Sequence, residues 1–346
     1  MKVIHIESGL GNQMLSYCEL LAIKKTWPEE TCLLETIVYD LPECNDVICQ
    51  WNGFELDRIF HIHTPNVRTL FSDEQWEALM ADIRQSQFWL KNWNYPVYFT
   101  EAFRRAGMPL ENLRGDFEAP GQTRKTTTGD AWYRSTAAFR YLNYLRHRYL
   151  KPIPTPLTDH RHELFDIPAG DVFTGQKLLF KYVNSGIEQI ADDIRQVFQF
   201  PDITDERNRK AMEEMNAVDS VAIHARRGDM TGYNYDCYAG GYFRRAVSFI
   251  REHVRQPVFY IFCDPESIRW ARSHGGTLGL DFRRDTVRFV DWNSGDDSWR
   301  DMQLMAACHH QVITRSSFGW WGAWLNTHPD KITCSPDRNI NTTHHF

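Results

Sequence analysis

Two adjacent arginines followed by a glycine and an aspartate, in His224-Ala225-Arg226-Arg227-Gly228-Asp229, are the strongest chemical signal in the chain. A guanidinium is always charged, and its planar fork matches two phosphate oxygens at once. Gly228 permits a sharp turn that brings backbone close to a bound group, and the imidazole of His224 can hydrogen-bond a base or a sugar. The same pattern equally accommodates an Arg–Asp ion pair that closes the turn. A second signal is Arg315-Ser316-Ser317-Phe318-Gly319-Trp320-Trp321-Gly322-Ala323-Trp324. Two hydroxyls where a strand turns into a helix, with the unpaired amides of the helix start, form a cradle for an anion. The three tryptophans read more simply as core. A third signal, Gly9-Leu10-Gly11-Asn12-Gln13, lies between a strand and a helix. There backbone amides at Gly11 can approach a phosphate and Asn12 can touch a sugar, although a tight turn that merely starts the helix fits as well. It is neither the GxGxxG of dinucleotide folds nor a P-loop. The chain contains no Asp-x-Asp, so no carboxylate pair offers itself for a divalent cation. Arginines and helix amides would have to neutralise a phosphate instead.

The elements that position these residues are readable in part. Ser220–His224, Val258–Phe262, Thr286–Val290, Gln311–Thr314 and Lys331–Cys334 are short apolar runs. Between them lie helical patterns such as Phe243, Val247, Ile250 and Val254. Pro265 suits the first turn of one helix and Ser298 the cap of another, carrying Met302, Met305 and Ala306. Strands that alternate with helices imply a parallel sheet covered on both faces. The N-terminal part starts in the same way, with a strand Lys2–Ile6, a helix carrying Met14, Cys18, Leu21 and Ala22, and an apolar run Thr31–Tyr39. From about residue 90 to 180 the pattern weakens. Thr126–Gly129 reads as an exposed loop, and the three prolines of Lys151–Pro156 exclude helix interior and central strand. A helix with Ile187, Ile190, Ile194 and Val197 then leads into the C-terminal half. The expected fold is α/β, with two Rossmann-like halves, residues 1–185 with an irregular insertion and residues 186–346, facing a central cleft.

Composition bounds the rest. A chain of 346 residues suggests about two domains. Twelve Trp, fourteen Tyr and twenty-one Phe supply ample core material, which excludes a disordered chain. A net charge of −6 argues against a general nucleic-acid binder. Met1 is followed directly by a strand, with no leader pattern and no apolar stretch long enough to span a bilayer. A cytoplasmic protein is the resulting expectation. The eight cysteines form no CxxC pair and are expected to be free thiols. Cys308-His309-His310 is a poor metal motif, because neighbouring helical residues point in different directions.

Taken together, Gly9–Met14, His224–Asp229 and Phe289–Asn326 resemble the α-1,2-fucosyltransferases of glycosyltransferase family 11. Weaker similarity covers Asn52–Ile62 and Tyr182–Asp229. The chain departs from the family pattern at Arg315, where Asn is usual, at Pro265 after Asp264, and at Met230, where Tyr is frequent. The 90–180 stretch matches poorly and is expected to carry acceptor specificity.

The resemblance implies a GT-B-like enzyme that uses GDP-β-L-fucose as donor. It would invert the anomeric centre and place fucose on the 2-hydroxyl of a terminal galactose in a glycan acceptor, with no metal or other cofactor. An α-1,6- or protein O-fucosyltransferase, or an inactive carbohydrate-binding relative, are the alternatives. In this reading Arg226 grips the β-phosphate, assisted by Arg227. His224 and Asp301 are the candidates for guanine and ribose contacts. Ser316, Ser317 and Phe318 line the diphosphate cradle, and Gly11 and Asn12 approach the sugar. Asp229 is the first candidate for general base, with Asp236 as the alternative. Residues 1–185 form the acceptor side and residues 186–346 the donor side. A ligand-facing Arg226 is expected to matter little for folding.

Overall fold

Short runs of buried residues build two parallel sheets. They are seen in a computed structural model that describes residues 1–44, 51–90, 95–114, 142, 164–175, 177–230, 232 and 234–346. The chain divides into two compact units, one from Met1–Thr126 with Asp159–Pro201 and a second from Thr127–Thr158 with Asp202–Phe346. The α/β class with two Rossmann-like halves is therefore the architecture found.

In unit 1, β1 (Lys2–His5) leads into α1 (Leu10–Thr26), and β2 (Cys32–Glu35) returns parallel to β1. Helices α2 (Leu56–Phe60), α3 (Asp73–Ser86) and α4 (Tyr95–Arg105) follow, then β3 (Glu111–Asn112), β4 (Val172–Thr174) and α5 (Ala191–Val197). The strand order is β2-β1-β4-β3, with Lys2 in register with both Cys32 and Val172. Every residue of β1, β2 and β4 is buried, as a sheet covered on both faces requires.

Three expectations change here. The run Thr31–Tyr39 is not one strand, because β2 stops at Glu35 and a 3-10 turn covers Ile37–Asp40. The Glu35 carboxylate accepts the Ile37 amide at 2.5 Å and turns the chain. The stretch from 90 to 180 is not simply irregular, since α4, β3 and β4 fall within it. Tyr95, Phe99 and Phe103 of α4 are core residues. The loop Thr126–Gly129 and the proline segment Lys151–Pro156 lie outside the described residues. Finally, α5 sits in unit 1, where Phe198 just beyond it meets Tyr17 of α1 with ring centroids 6.0 Å apart. Unit 1 thus extends past the expected division at 185/186.

Unit 2 begins with α6 (Glu206–Ala217) and continues through β5 (Ser220–His224), α7 (Tyr235–Ala239), α8 (Tyr242–His253), β6 (Val258–Phe262), α9 (Ile268–Ser273) and β7 (Thr286–Val290). It closes with α10 (Arg300–Ala307), β8 (His310–Val312), α11 (Ser317–Leu325), β9 (Thr333–Ser335) and β10 (His344–His345). All pairings are parallel, in the order β10-β9-β8-β5-β6-β7. Phe243, Val247 and Ile250 of α8 pack into the core as their spacing predicts. Pro265 opens the turn before α9, as expected. Ser298 does not cap α10, which starts one residue later, after Trp299 and with no side-chain cap.

Trp320 and Trp321 are fully buried, and the Trp320 indole N–H donates to Asn341 at 2.7 Å. These two are core, as read from the sequence, whereas Trp324 is only partly buried. Gly322 lets α11 approach α10, since a Cβ there would lie 2.9 Å from Met305 Cβ. The described cysteines are free thiols, six of the seven buried. No helix among the described residues is long and apolar enough to cross a membrane.

Three imidazoles meet where β8 begins. His309 and His328 rings are 4.2 Å apart and His310 packs beside them. Burial first, and then its two neighbours, lower the pKa of His310 to about 4. An unfolded imidazole takes its proton near 6.5, so between those values the unfolded chain binds the extra proton and the folded chain does not. Stability from this site is complete above about pH 6.5 and drains away as pH falls toward 4. The melting temperature should therefore drop over that window, and His310→Gln should flatten the drop in a pH series of thermal melts.

Candidate active site

In an open parallel sheet, ligands bind beyond the carboxyl ends of the strands, at the point where the strand order reverses. In unit 2 the chain runs outward from β5 through β6 to β7 on one side, and from β8 through β9 to β10 on the other. The reversal lies between β5 and β8. The two sequence blocks with phosphate chemistry emerge from those two strands.

His224 ends β5 and is buried against the start of α11. A Cβ on Gly319 would fall 2.2 Å from His224 Nδ1, so this glycine makes room for the ring. Nδ1 has no hydrogen-bond partner. Burial, and then the Arg226 charge, push the pKa of His224 down to about 3. At neutral pH it is an uncharged imidazole that can donate or accept, but cannot supply a positive charge.

Arg226 pairs through Nη1 with the Asp264 carboxylate, just beyond β6. The other Asp264 oxygen accepts the Arg227 amide at 2.8 Å. Gly228 turns with φ +34°, and a Cβ there would sit 3.3 Å from Asp264 Oδ2. The Arg226 carbonyl accepts from the Tyr238 hydroxyl at 2.8 Å and from Asn234 Nδ2 at 3.3 Å. Asn234 Oδ1 in turn accepts the Arg315 amide at 3.1 Å, tying the loop after β5 to the loop after β8. Arg227 turns away into an aromatic bed, with its guanidinium carbon 3.9 Å from the Trp270 ring centroid and 5.5 Å from that of Tyr238. Burial lowers the pKa of Arg227. The two arginines thus differ. One is oriented by a carboxylate at the strand ends, and the other is packed as a cation–π anchor.

Beyond β8, Ser316 caps α11, its Oγ accepting the Phe318 amide at 3.3 Å. Ser317 is the first residue of the helix, and the Phe318 ring lies 5.9 Å from that of His224. Nine residues of helix point their positive end at this place. Thr314 Oγ1 is buried there without a hydrogen-bond partner.

Asp301, in the first turn of α10, accepts from Asn293 Nδ2 at 2.8 Å, and Asn293 accepts from Asn208 at the same distance. Burial raises the Asp301 pKa to about 7, so the group stands at the border of protonation and can donate as well as accept. The backbone of Asp229 lies in a short turn, Gly228–Met230, and its side chain lies outside the described residues. Asp236 is in the first turn of α7. The structure therefore brings His224, Arg226, Ser316, Ser317 and Phe318 together at the β5/β8 reversal.

Gly11 and Asn12 belong to unit 1, in the first turn of α1. The turn before them is shaped by buried Gln13. Its Nε2 donates to the carbonyls of Ser8 at 2.9 Å and Gly53 at 2.8 Å, and its Oε1 accepts the Glu55 amide at 2.8 Å. Reading the sequence missed Gln13, Asp264, Asn234 and Trp270. Asp264 was findable, as an acid immediately after an apolar strand. The other three show their roles only through partners far along the chain.

The model for glycosyl transferase family 11 matches residues 179–341. That match covers just under half of the chain, so over this region the chain is similar to glycosyltransferase family 11. An α-1,2-colitosyltransferase of Escherichia coli is 29% identical over 133 residues, which are 37% of this chain and 43% of that protein. The O-antigen biosynthesis glycosyltransferase WbnK of Escherichia coli is 32% identical over 34% of this chain and 38% of its own length. Galactoside α-(1,2)-fucosyltransferase 1 of Saimiri sciureus is 28% identical over 30% of this chain and 28% of its own length. The matched part thus spans less than half of these relatives. Among solved structures, NodZ α-1,6-fucosyltransferase soaked with GDP-fucose aligns with a TM-score of 0.43 and 12% identity, over 94% of this chain and 91% of that one.

Proposed function

We propose that the protein is a GT-B-like, inverting glycosyltransferase that moves L-fucose from GDP-β-L-fucose to the 2-hydroxyl of a terminal galactose, without a divalent cation. The observation that carries this reading is that Arg226, held by Asp264 beyond β5, and the Ser316-capped start of α11 beyond β8 both lie at the β5/β8 reversal beside a neutral imidazole. As the glycosidic bond breaks, negative charge grows on the β-phosphate of GDP. Fixed guanidinium and amide donors stabilise that charge without reorganising. Asp264 keeps Arg226 at the strand ends and so holds the donor in place before the reaction begins. His224 offers a neutral hydrogen-bonding edge for the nucleotide, and Asp301 offers a carboxyl group that can switch between donor and acceptor. The names of the family 11 relatives support the α-1,2 linkage. Colitose as the transferred sugar is the second reading, favoured by the α-1,2-colitosyltransferase match.

GDP release tests the proposal. The purified protein is incubated with GDP-fucose or GDP-colitose, a panel of β-galactosides and excess EDTA. Turnover with GDP-fucose should persist under chelation. Activity that disappears and returns with Mg²⁺ or Mn²⁺ would contradict the cation-free site, and preference for GDP-colitose would move the reading to the second sugar.

A further inference from the structure

A pocket of about 490 Å³ opens in unit 2 between α8 and the segment 276–285 that leads into β7. β7 is the outermost strand on its side of the sheet, so this pocket stands apart from the β5/β8 reversal. Three arginines line it, Arg244 and Arg251 from α8 and Arg284 from the segment. Each is held at one edge. Arg244 donates through Nε to the Gly276 carbonyl at 2.9 Å. Arg251 donates through Nη2 to the Gly279 carbonyl at 3.0 Å and to Asp285 at 2.7 Å. Arg284 Nε lies 3.6 Å from Asp281 Oδ2. The other Nη groups, both of Arg244, Nη1 of Arg251 and both of Arg284, have no hydrogen-bond partner among the described residues.

Gly279 turns with φ +76°, and a Cβ there would lie 2.9 Å from Arg244 Cα, so glycine is what lets the segment close on α8. Asp285 also accepts the Asp281 amide at 2.7 Å, and Asp281 accepts the Arg283 amide at 3.0 Å. Both acids are thus engaged within the wall, and the lining keeps one positive charge in excess. An exposed arginine on its own is ordinary solvated surface. Three that converge on one hollow repel one another, and an anion that shares their open N–H groups relieves the repulsion. A methyl on Gly276 would meet nothing within 4 Å, so there is room for a ligand beside it. The planar fork of a guanidinium matches phosphate oxygens. We propose that this pocket binds a phosphate ester group, at a site separate from the donor nucleotide. The ester is either free in solution or the headgroup of a lipid, for which Phe282, next in sequence to Asp281 and 38% exposed, supplies an apolar contact.

The test is a titration of inorganic phosphate into the full chain at constant ionic strength, followed by phosphorus NMR. Arg244→Gln, Arg284→Gln and Gly276→Glu are compared with the wild type and with Arg269→Gln, an exposed arginine of α9 outside the pocket. Each pocket variant should weaken phosphate binding at this site by about tenfold or more, the effect of losing a hydrogen bond to a charged group or adding a like charge, and Arg269→Gln should leave it unchanged. All four positions are exposed, so melting temperatures should stay near the wild type and the loss is not unfolding. Phosphate held at the β5/β8 reversal is untouched by these substitutions, so the component lost with them belongs to the pocket. Co-sedimentation with phosphatidylcholine vesicles, with and without phosphatidylglycerol, separates the sources. Binding to the anionic vesicles that the pocket variants abolish identifies a headgroup. No vesicle binding, or binding that the variants do not alter, identifies a free phosphate ester. Phosphate binding equal in all variants, or none in the wild type, would overturn the proposal. Vesicle binding without phosphate binding would overturn it too, as the mark of a diffuse charged surface. None of these outcomes depends on the transferase reading.

Discussion

Arg226→Ala is expected to lose about 10²–10³-fold in turnover, the usual effect of deleting one donor to a developing oxyanion. Arg226→Lys keeps the charge and can still reach Asp264, but it lacks the fork and should recover little of that loss. Stability should fall as well. Asp264 keeps only 7% of its side chain exposed and pairs with Arg226. Removing one partner of a largely buried pair costs about 3–5 kcal/mol, because the remaining charge is left uncompensated. Arg226 itself is 17% exposed, which places the cost toward the lower end of that range. Arg226→Lys should therefore melt near the wild type while remaining nearly inactive, and Arg226→Ala should be both inactive and less stable. Thermal melts and kcat on the two variants separate these effects. This replaces the expectation from sequence that Arg226 matters little for folding. An Arg226→Ala protein that turns over within about tenfold of wild type would remove Arg226 from the phosphate site.

Gly319→Ala is the second large effect. The new methyl would sit 2.2 Å from His224 Nδ1 and 2.8 Å from Cγ of the same ring. Both elements are buried, with His224 at the end of β5 and Trp320 and Trp321 following in α11, so neither yields easily. Overpacking of this kind costs about 1–3 kcal/mol. The strain falls on the contact that joins the imidazole to the helix start, so GDP affinity should drop along with stability. Gly322→Ala provides a control. Its methyl would press on Met305, 2.9 Å away, so it should lower stability while sparing GDP affinity. Equal losses of affinity in the two variants would mean that the helix start is not part of the nucleotide site.

Much of unit 2 was legible because its strands are short, apolar and bounded by residues that stop them. Ser220–His224, Val258–Phe262 and Thr286–Val290 appear as read, and the chemistry lies where those strands end. What was not legible depends on partners distant in the chain. Arg226 was read with Asp229 close by, whereas its carboxylate partner is Asp264, 38 positions away. Arg226 and Arg227 looked equivalent until Trp270 was seen beneath one of them. In unit 1 the apolar run Thr31–Tyr39 hid a break, because what ends β2 is a side-chain bond from Glu35 and not a proline or glycine. His5 passed as one polar residue in an apolar strand. It is buried between Glu35 and Glu7, one on either side of the ring.

The central claim is most directly tested by the product itself. The purified protein, GDP-β-L-fucose and N-acetyllactosamine are incubated in excess EDTA, and the product is analysed by NMR. The account predicts a single new fucosyl residue, α-configured and attached to the 2-hydroxyl of galactose. A fucosyl group at another position, a β-linked product, or no product while the protein is folded and binds GDP would contradict it.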